Sequence, residues 1–332
     1  MASSYTNIHP VDQILTSLVV EAVPSDNQLI AGKIFENIKV PERSGTLLLE
    51  ETRNFMGAGA GLNLERSPGA SRPTIGGFDR SSQTFKALIY AASDSIAMED
   101  IFDSQYPGSE EARLAKKVSR VMKLAKEKRA ADLLFDATAF STSAATANFD
   151  AAGATPLTDL HKLKDTLFAQ AHGINPDTLI FGRKSFRALA RNPEVRGYVG
   201  NSSSAGAFSS GNQILNDEAV LSVLRDVLGI ANIHVGAALQ DTAKIGLASN
   251  EVSIWDDAKL FMGILHGSDS IVQKSGNVKG MPVAALNFEF SGMVAGQYDS
   301  LDRTRRYVYA EEVHSYKAID STLGHVMTGC HS

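Results

Sequence analysis

Between two runs with strand character, Thr46–Glu50 and Thr84–Tyr90, the chain carries NFMGAGAGLNLERSPGASRPTIGGFDRSS, a tract dense in Gly, Ser, Arg and Pro. Gly and Pro punctuate local structure, and the tract has no apolar periodicity with which to bury itself. A loop of this length is unusual inside a compact domain, and such loops are functional or disordered. Residues 42–86 are therefore expected to form a long protruding hairpin or loop that reaches a neighbouring body. Residues 1–30 make a similar demand. Ile14, Leu15, Leu18, Val19 and Val20 are scattered among polar residues, too few for a core of their own, so the segment reads as an arm that packs on something else. Ordering either segment costs conformational entropy that only contacts elsewhere can offset.

The clearest helix runs from Ser109 to Phe135. Pro107 and Gly108 punctuate its entry, Ser109 suits the N-cap, and Glu110 and Glu111 suit the positive end of the helix dipole. Leu114, Val118, Val121, Met122 and Ala125 recur at helical spacing and predict one apolar face. The opposite side is dense in cations: Arg113, Lys116, Lys117, Arg120, Lys123, Lys126, Lys128 and Arg129, with Glu127 alone to answer them between 113 and 129. Such a helix is about 40 Å long at ~1.5 Å per residue, the dimensions of a strut.

Around it the elements are mixed. A strand is expected at Ile34–Val40, closed by Pro41. A Ser-, Thr- and Ala-rich loop, Thr138–Thr155, leads to a helix opened by Thr155-Pro156, with Leu157, Leu160, Leu163, Leu167 and Phe168 on its buried face and Gly173 at its end. A strand at Thr178–Phe181, a helix over Lys184–Arg191 stopped by Asn192-Pro193, a loop at Asn201–Asn212 and a helix at Asp217–Leu228 follow. Further strands are expected at Asn232–Ala237, Ala243–Gly246 and Lys259–Leu265. From Asn287 the chain turns β-rich, through NFEFSGMVAG, RRYVYAEEV and a last segment reaching Val326. The class is α+β, without internal repeats, and 332 residues suffice for more than one folding unit.

Several chemistries find no support. GAGAG (Gly57, Gly59, Gly61) followed by Asp79 mimics a dinucleotide fingerprint, but Leu64 takes the third glycine position, and Pro68, Gly69 and Pro73 forbid the helix that would hold a pyrophosphate. Gly32-Lys33 continues into Ile34, not the Ser or Thr of a phosphate-binding loop, and no G-x-S-x-G elbow occurs. The eight histidines lack metal-ligand spacing, and the tail group His325, Cys330 and His331 reads as solvated. No catalytic, cofactor-binding or metal residue is expected. A net charge of −5 gives no overall basic field. A single cysteine excludes an internal disulfide and fits a reducing compartment. The N-terminal residues lack signal-peptide character and no apolar run is long enough to cross a bilayer, so cytoplasmic folding and no membrane are expected. Asn201-Ser202-Ser203 matches the glycosylation sequon, which a chain folded there does not use. Arg303, Arg305 and Arg306, balanced by Asp299, Asp302, Glu311 and Glu312, are expected in inter-strand or inter-subunit ion pairs.

The order of elements resembles the major capsid proteins of tailed double-stranded-DNA bacteriophages, whose fold encapsulins share. IAGKIFENIKV (Ile30–Val40) is similar to the family's first peripheral strand, and SEEARLAKKVSRVMKLAKEKRAADLLF to its long spine helix. ATPLTDLHKLKDTLFAQAHGINPDTLIFGRKSFRALARNPEVRGYV resembles the entry to the axial domain, and IHVGAALQDTA and LFMGIL its remainder. RRYVYAEEVHSYKAIDSTLGHVMTG resembles the strands that return to the peripheral domain.

The resemblance implies an N-terminal arm (1–30), an extended loop (42–86), a β-rich peripheral domain (31–41, 87–155 and 287–332, with the spine helix at 109–135) and a mixed α/β axial domain (156–286). It implies a structural protein, not an enzyme, that self-assembles as hexamers and pentamers into an icosahedral shell around double-stranded DNA held without sequence specificity. The expected site is the virion, assembled in the host cytoplasm. Candidate inter-subunit contacts on the loop are Arg53, Glu65, Arg66, Arg72, Asp79 and Arg80; Lys116, Lys117, Arg120 and Lys123 on the spine helix are candidates for charge compensation. Expected partners are a scaffolding protein, separate because no long acidic helical stretch precedes the arm, a portal and a decoration protein. Interfaces threaded by such segments are of the large obligate kind, ~2,000 Å² or more. Some family members cross-link a loop lysine to a neighbour's asparagine; no lysine occurs here between Lys39 and Lys86, so a non-covalent shell is expected. The nearest alternative is an encapsulin-type cargo shell. A tail-tube protein fits the layout poorly, and an unrelated α/β enzyme would need a pocket with convergent titratable groups.

Overall fold

The computed structural model describes residues 29–50, 65–66, 68–69, 72, 80–103, 107–202, 216–244, 246–266 and 283–331. Where a strand is expected from Ile34, the chain first makes one helical turn, α1 (Ala31–Ile34), and only then a short strand, β1 (Asn37–Lys39). The turn wins because it puts Ile30 and Ile34, four residues apart, into one buried site. Strands β2 (Ser44–Glu50) and β3 (Arg80–Lys86) pair antiparallel from Ser44↔Lys86 to Glu50↔Arg80 and, among the described residues, only with each other. They form the stem of a hairpin whose base is held by a Phe85–Phe288 stack at 4.4 Å and by Gln83 Nε2 donating to Ile319 O at 2.8 Å.

The single run expected at Thr84–Tyr90 divides at Ala87, which is fully buried and donates its N–H to Arg43 O. There the chain leaves the hairpin and enters β4 (Leu88–Ala97), which continues seven residues past Tyr90. A short helix, α2 (Met98–Asp103), precedes the spine helix α3 (Pro107–Leu134). The spine helix starts two residues before the expected cap Ser109, since a proline lacks only an N–H that the first turn leaves unbonded anyway. Its buried stripe is Ala115, Val118, Ser119, Met122, Glu127, Ala130, Ala131 and Leu134; Val121, expected on that stripe, is 51% exposed. Small side chains let the helix approach the sheets, so the larger apolar residues were a poor guide to the facing side.

Next come β5 (Ser141–Ala144), α4 (Pro156–Gln170), β6 (Thr178–Gly182), α5 (Arg183–Arg191), α6 (Pro193–Ser202) and α7 (Asp217–Leu228). Thr155 makes no side-chain cap; the Leu157 N–H goes instead to Glu194 Oε2 at 2.9 Å. Pro193, read as a stop, opens α6. Asn192 caps that helix by accepting the Glu194 N–H, while its own amide donates to Phe149 O and Ala154 O. Then follow β7 (Asn232–Gly236), β8 (Leu239–Asp241), β9 (Glu251–Ser253), β10 (Lys259–Gly263), β11 (Ala285–Asp299), β12 (Arg305–Ala318) and β13 (Gly324–Thr328). No strand forms at the described residues of Ala243–Gly246: Asp241 Oδ1 accepts the N–H groups of Ala243 and Asn250, closing a turn between β8 and β9.

Two larger sheets organise the molecule. One has the order β1-β11-β12-β4, the other β5-β13-β10-β6-β7. In the second, alternate residues face opposite ways. Leu179, Phe181, Leu260 and Met262 pack with the leucines of α4 and with α5, α6 and α7, whereas Ile180 and Phe261 pack with Trp255, α1 and the end of the spine helix. The other end of α3 lays Ala115, Val118 and Met122 on Ala295, Val308 and Ala310 of the first sheet. One helix thus spans both sheets. Strands β5 and β13, assigned by the sequence to the peripheral domain, hydrogen-bond within the sheet of the 156–286 region.

Candidate functional site

The spine helix meets its sheet through buried charge as well as methyl groups. Glu312, on β12 and 2% exposed, accepts from Arg129 Nη2 at 2.7 Å through Oε1 and from Lys126 Nζ at 3.3 Å through Oε2. Arg129 also lies 3.6 Å above the Tyr90 ring of β4, so one guanidinium ties the helix to two strands. Beside it His314, 1% exposed, sits between Tyr90 and Tyr316 with ring centroids 5.0 and 5.1 Å away. Its Nδ1 is 3.4 Å from Glu312 Oε1, but burial, aided by the charges of Lys126 and Arg129, pushes its pKa down to about 3. The ring is neutral, and this contact is no ion pair. Burial, with Glu312 and Glu127 nearby, raises the Tyr316 phenol well above its ordinary value.

Nearer the start of the helix, Arg306 of β12 bridges Glu111 of α3 (2.5 Å) and Asp299 of β11 (2.8 Å). The Asp299 and Glu111 hydrogen bonds raise the Arg306 pKa, and the guanidinium holds the Asp299 carboxyl below its ordinary range. Lys117 pairs with Asp94 of β4 at 2.5 Å, and this hydrogen bond lowers the Asp94 pKa. Glu127, the one anion expected to answer the cations, turns inward instead. Its Oε1 accepts from Ala31 N at 2.6 Å and its Oε2 from Trp255 Nε1 at 2.8 Å, which joins the residues after the arm, the spine helix and the second sheet in one buried carboxylate.

Of the candidates on the loop, Arg53 and Asp79 lie outside the described residues. Glu65, Arg66 and Arg72 are exposed, and Arg80 stands opposite Glu50 at the far end of the described stem. On the spine helix Lys116, Lys117 and Arg120 are exposed and Lys123 is half-buried. Lys117 is answered within the chain by Asp94, Arg113 by Glu110 and Lys128 by Asp132. Glu110 and Asp132 answer from the helix itself, just outside the 113–129 stretch, whereas Asp94 of β4 and Glu312 of β12 answer from other elements. The tail group also separates. His325 is buried against Ser143 Oγ (3.0 Å) and Gln170 Oε1 (3.3 Å), and the interior Cys330 thiol is pushed up to about 12 by burial. A cleft of about 620 Å³ lies between α3, β9 and the β9–β10 turn. Besides Glu251, its charged residues form the pairs Lys128–Asp132, Lys184–Asp257 and Lys259–Asp256.

No protein-family model matches the sequence, and no curated protein matches it. Solved structures do. A phage-related protein from Bordetella bronchiseptica RB50 is 18% identical over 97% of this chain and 98% of its own, with a TM-score of 0.67. The virus-like particle from Pyrococcus furiosus is 10% identical over 95% of this chain and 98% of its own (TM-score 0.55), and the capsid of Myoviridae phage XM1 is 12% identical over 91% and 90% (TM-score 0.54). Hairpin stem, spine helix and two sheets, matched end to end in both directions, give this chain the tailed-phage capsid fold.

Proposed function

We propose that the protein is the major capsid subunit of a tailed phage, self-assembling as hexamers and pentamers into an icosahedral shell around double-stranded DNA. The observation that carries this reading is the β2–β3 stem, which pairs only with itself among the described residues and places residues 51–79 beyond its last pair. A segment carried in this way contributes to stability only by lying on another body. In a shell, that body is the next subunit. The candidate loop contacts Arg53, Glu65, Arg66, Arg72, Asp79 and Arg80 belong to this interface. Lys116, Lys117, Arg120 and Lys123 are the spine-helix cations proposed to offset packaged phosphate, a sequence-independent and salt-sensitive contact. The shell is a structural component of the virion, assembled in the host cytoplasm with a scaffolding protein and a portal, and stabilised without covalent cross-links by packing or a decoration protein. A cross-linked ladder on a denaturing gel of mature particles would contradict the last point.

The likeness to the virus-like particle favours a second reading, a cargo shell of encapsulin type. Negative-stain microscopy of the recombinant protein, with and without a candidate scaffolding protein, alongside its mass in solution, tests both. Closed shells or rings of five and six support a shell. Nucleic acid in native particles selects the capsid, an enzyme cargo selects the second reading, and a monomer or dimer under every condition removes both.

A further inference from the structure

The residues of α5, RKSFRALAR, divide by side. Ser185, Phe186, Ala188 and Leu189 are buried, and Arg183, Arg187 and Arg191 are exposed. Spaced four apart, the three arginines follow one line opposite the buried stripe, with steps of ~6 Å along the axis and ~12 Å from first to last. None of their side chains is bonded to another described residue. The carboxylates closest to hand are already taken. Asp257 accepts the Lys184 N–H at 3.0 Å and pairs with its ammonium at 3.3 Å. Glu194 accepts the Leu157 N–H at 2.9 Å and the Thr158 hydroxyl at 3.2 Å at the start of α4. Like charges four residues apart on a helix repel, so the free subunit carries a row of cations at some cost to α5.

The row also points away from the spine helix. Leu179 and Phe181 of β6 pack with the α5 side, whereas Ile180 and Phe261 pack with the end of the spine helix, so the two helices lie on opposite faces of the second sheet. The inference rests on the shell reading, in which the spine-helix cations face packaged phosphate. The arginines of α5 then face out of the particle, where their counter-charge is not the packaged DNA. A guanidinium fork takes a carboxylate through two parallel hydrogen bonds, which a lysine does not. Carboxylates on every second residue of an extended segment lie ~7 Å apart, and on every fourth residue of a helix ~6 Å apart, both in step with the row. We propose that Arg183, Arg187 and Arg191 form a docking row for the carboxylates of an acidic protein bound to the outside of the shell. The row gives such a protein one footing on each subunit.

Two measurements test it on the full-length protein, once microscopy has established shells. Arg187→Lys keeps the charge and adds an amine that a carbodiimide joins to a carboxylate in contact with it. In mature particles carrying this substitution, residue 187 is expected to be linked to an Asp or Glu of a second, acidic protein. Links only to other copies of this chain make the row a subunit interface and overturn the proposal, as does the absence of any link in intact particles. Arg183→Gln, Arg187→Gln and Arg191→Gln together are expected to leave the shells intact and to weaken binding of the linked protein on the order of tenfold, as added salt does for the parent. Unchanged binding, loss of packaged DNA, or failure of the variant alone to form shells overturns the outward row and leaves the shell reading standing. A parent protein that forms no shell or ring overturns both.

Discussion

Trp255 Nε1 donates to Glu127 Oε2 at 2.8 Å, so the sole tryptophan of the chain is bonded to the C-terminal part of the spine helix, on the face of the second sheet that both cover. The other oxygen of this carboxylate takes the Ala31 N–H. Glu127→Ala leaves two buried donors without a partner and is expected to cost about 2–5 kcal/mol; Glu127→Gln keeps one acceptor and costs about 1–3 kcal/mol. Urea unfolding followed by Trp255 fluorescence checks both, and an alanine variant as stable as the parent would show that the carboxylate is not what joins these parts.

The Glu312 site separates the worth of a charge pair from the cost of breaking it. Glu312→Leu abandons Lys126 and Arg129, whose side chains are only 24% and 21% exposed. Because both cations keep some access to water, the expected loss is roughly 2–4 kcal/mol, below the full cost of a wholly buried orphan. Replacing Lys126 and Arg129 by methionine in the same chain is expected to recover most of it. If the triple variant is no more stable than Glu312→Leu in chemical denaturation, orphaned charge is not the cause.

His314 sets a pH dependence whose sign follows from its depressed pKa. The folded protein resists protonating this ring until about pH 3, while an unfolded chain protonates it near 6.5. Its contribution is whole above about pH 6.5 and is lost progressively as pH falls towards 3, at up to ~1.4 kcal/mol per unit. His234, depressed to about 4 chiefly by burial, acts in the same direction. His314→Phe keeps a ring between the two tyrosines and is expected to flatten the fall of Tm between pH 7 and 4. An unaltered slope in thermal scans would place the acid sensitivity elsewhere.

Gly236 ends β7 against the tryptophan. A Cβ there would lie 2.2 Å from Trp255 Cγ, so Gly236→Ala is expected to cost about 1–3 kcal/mol and to shift the Trp255 emission. Gly32 is the control: nothing lies within 4 Å of its added Cβ, and Gly32→Ala is expected within about ±0.5 kcal/mol of the parent or slightly above it. Equal stabilities for the two variants by denaturation would contradict the packing described.

Local chemistry made the spine helix, the α4 leucine face and the fully buried β6 legible from residue types alone. The contents of the seam were not. Glu127 reads as one more surface charge, because nothing near it in sequence reveals Trp255, 128 residues away. Lys126 and Arg129 read as part of a solvated basic stripe because Glu312 is more than 180 residues distant. Pro193 misleads for another reason. A proline after a helix marks a stop and a proline at a first turn marks a start, and only the capping bonds of Asn192 and Glu194 distinguish the two. The loop candidates Arg53 and Asp79 lie beyond the described residues.

Strand β13, residues 324–328, sits inside its sheet, with β5 on one side and β10 on the other. A ribosome delivers it after every other strand of that sheet. Until it emerges, β5 has no neighbour in the sheet and the apolar side chains opposite Val326 and Met327 stay open to water. A chain truncated before Gly324 lacks the piece that closes its own interior. The order of synthesis thereby acts as an inspection step, in which only a chain extended past Thr328 presents a closed second sheet.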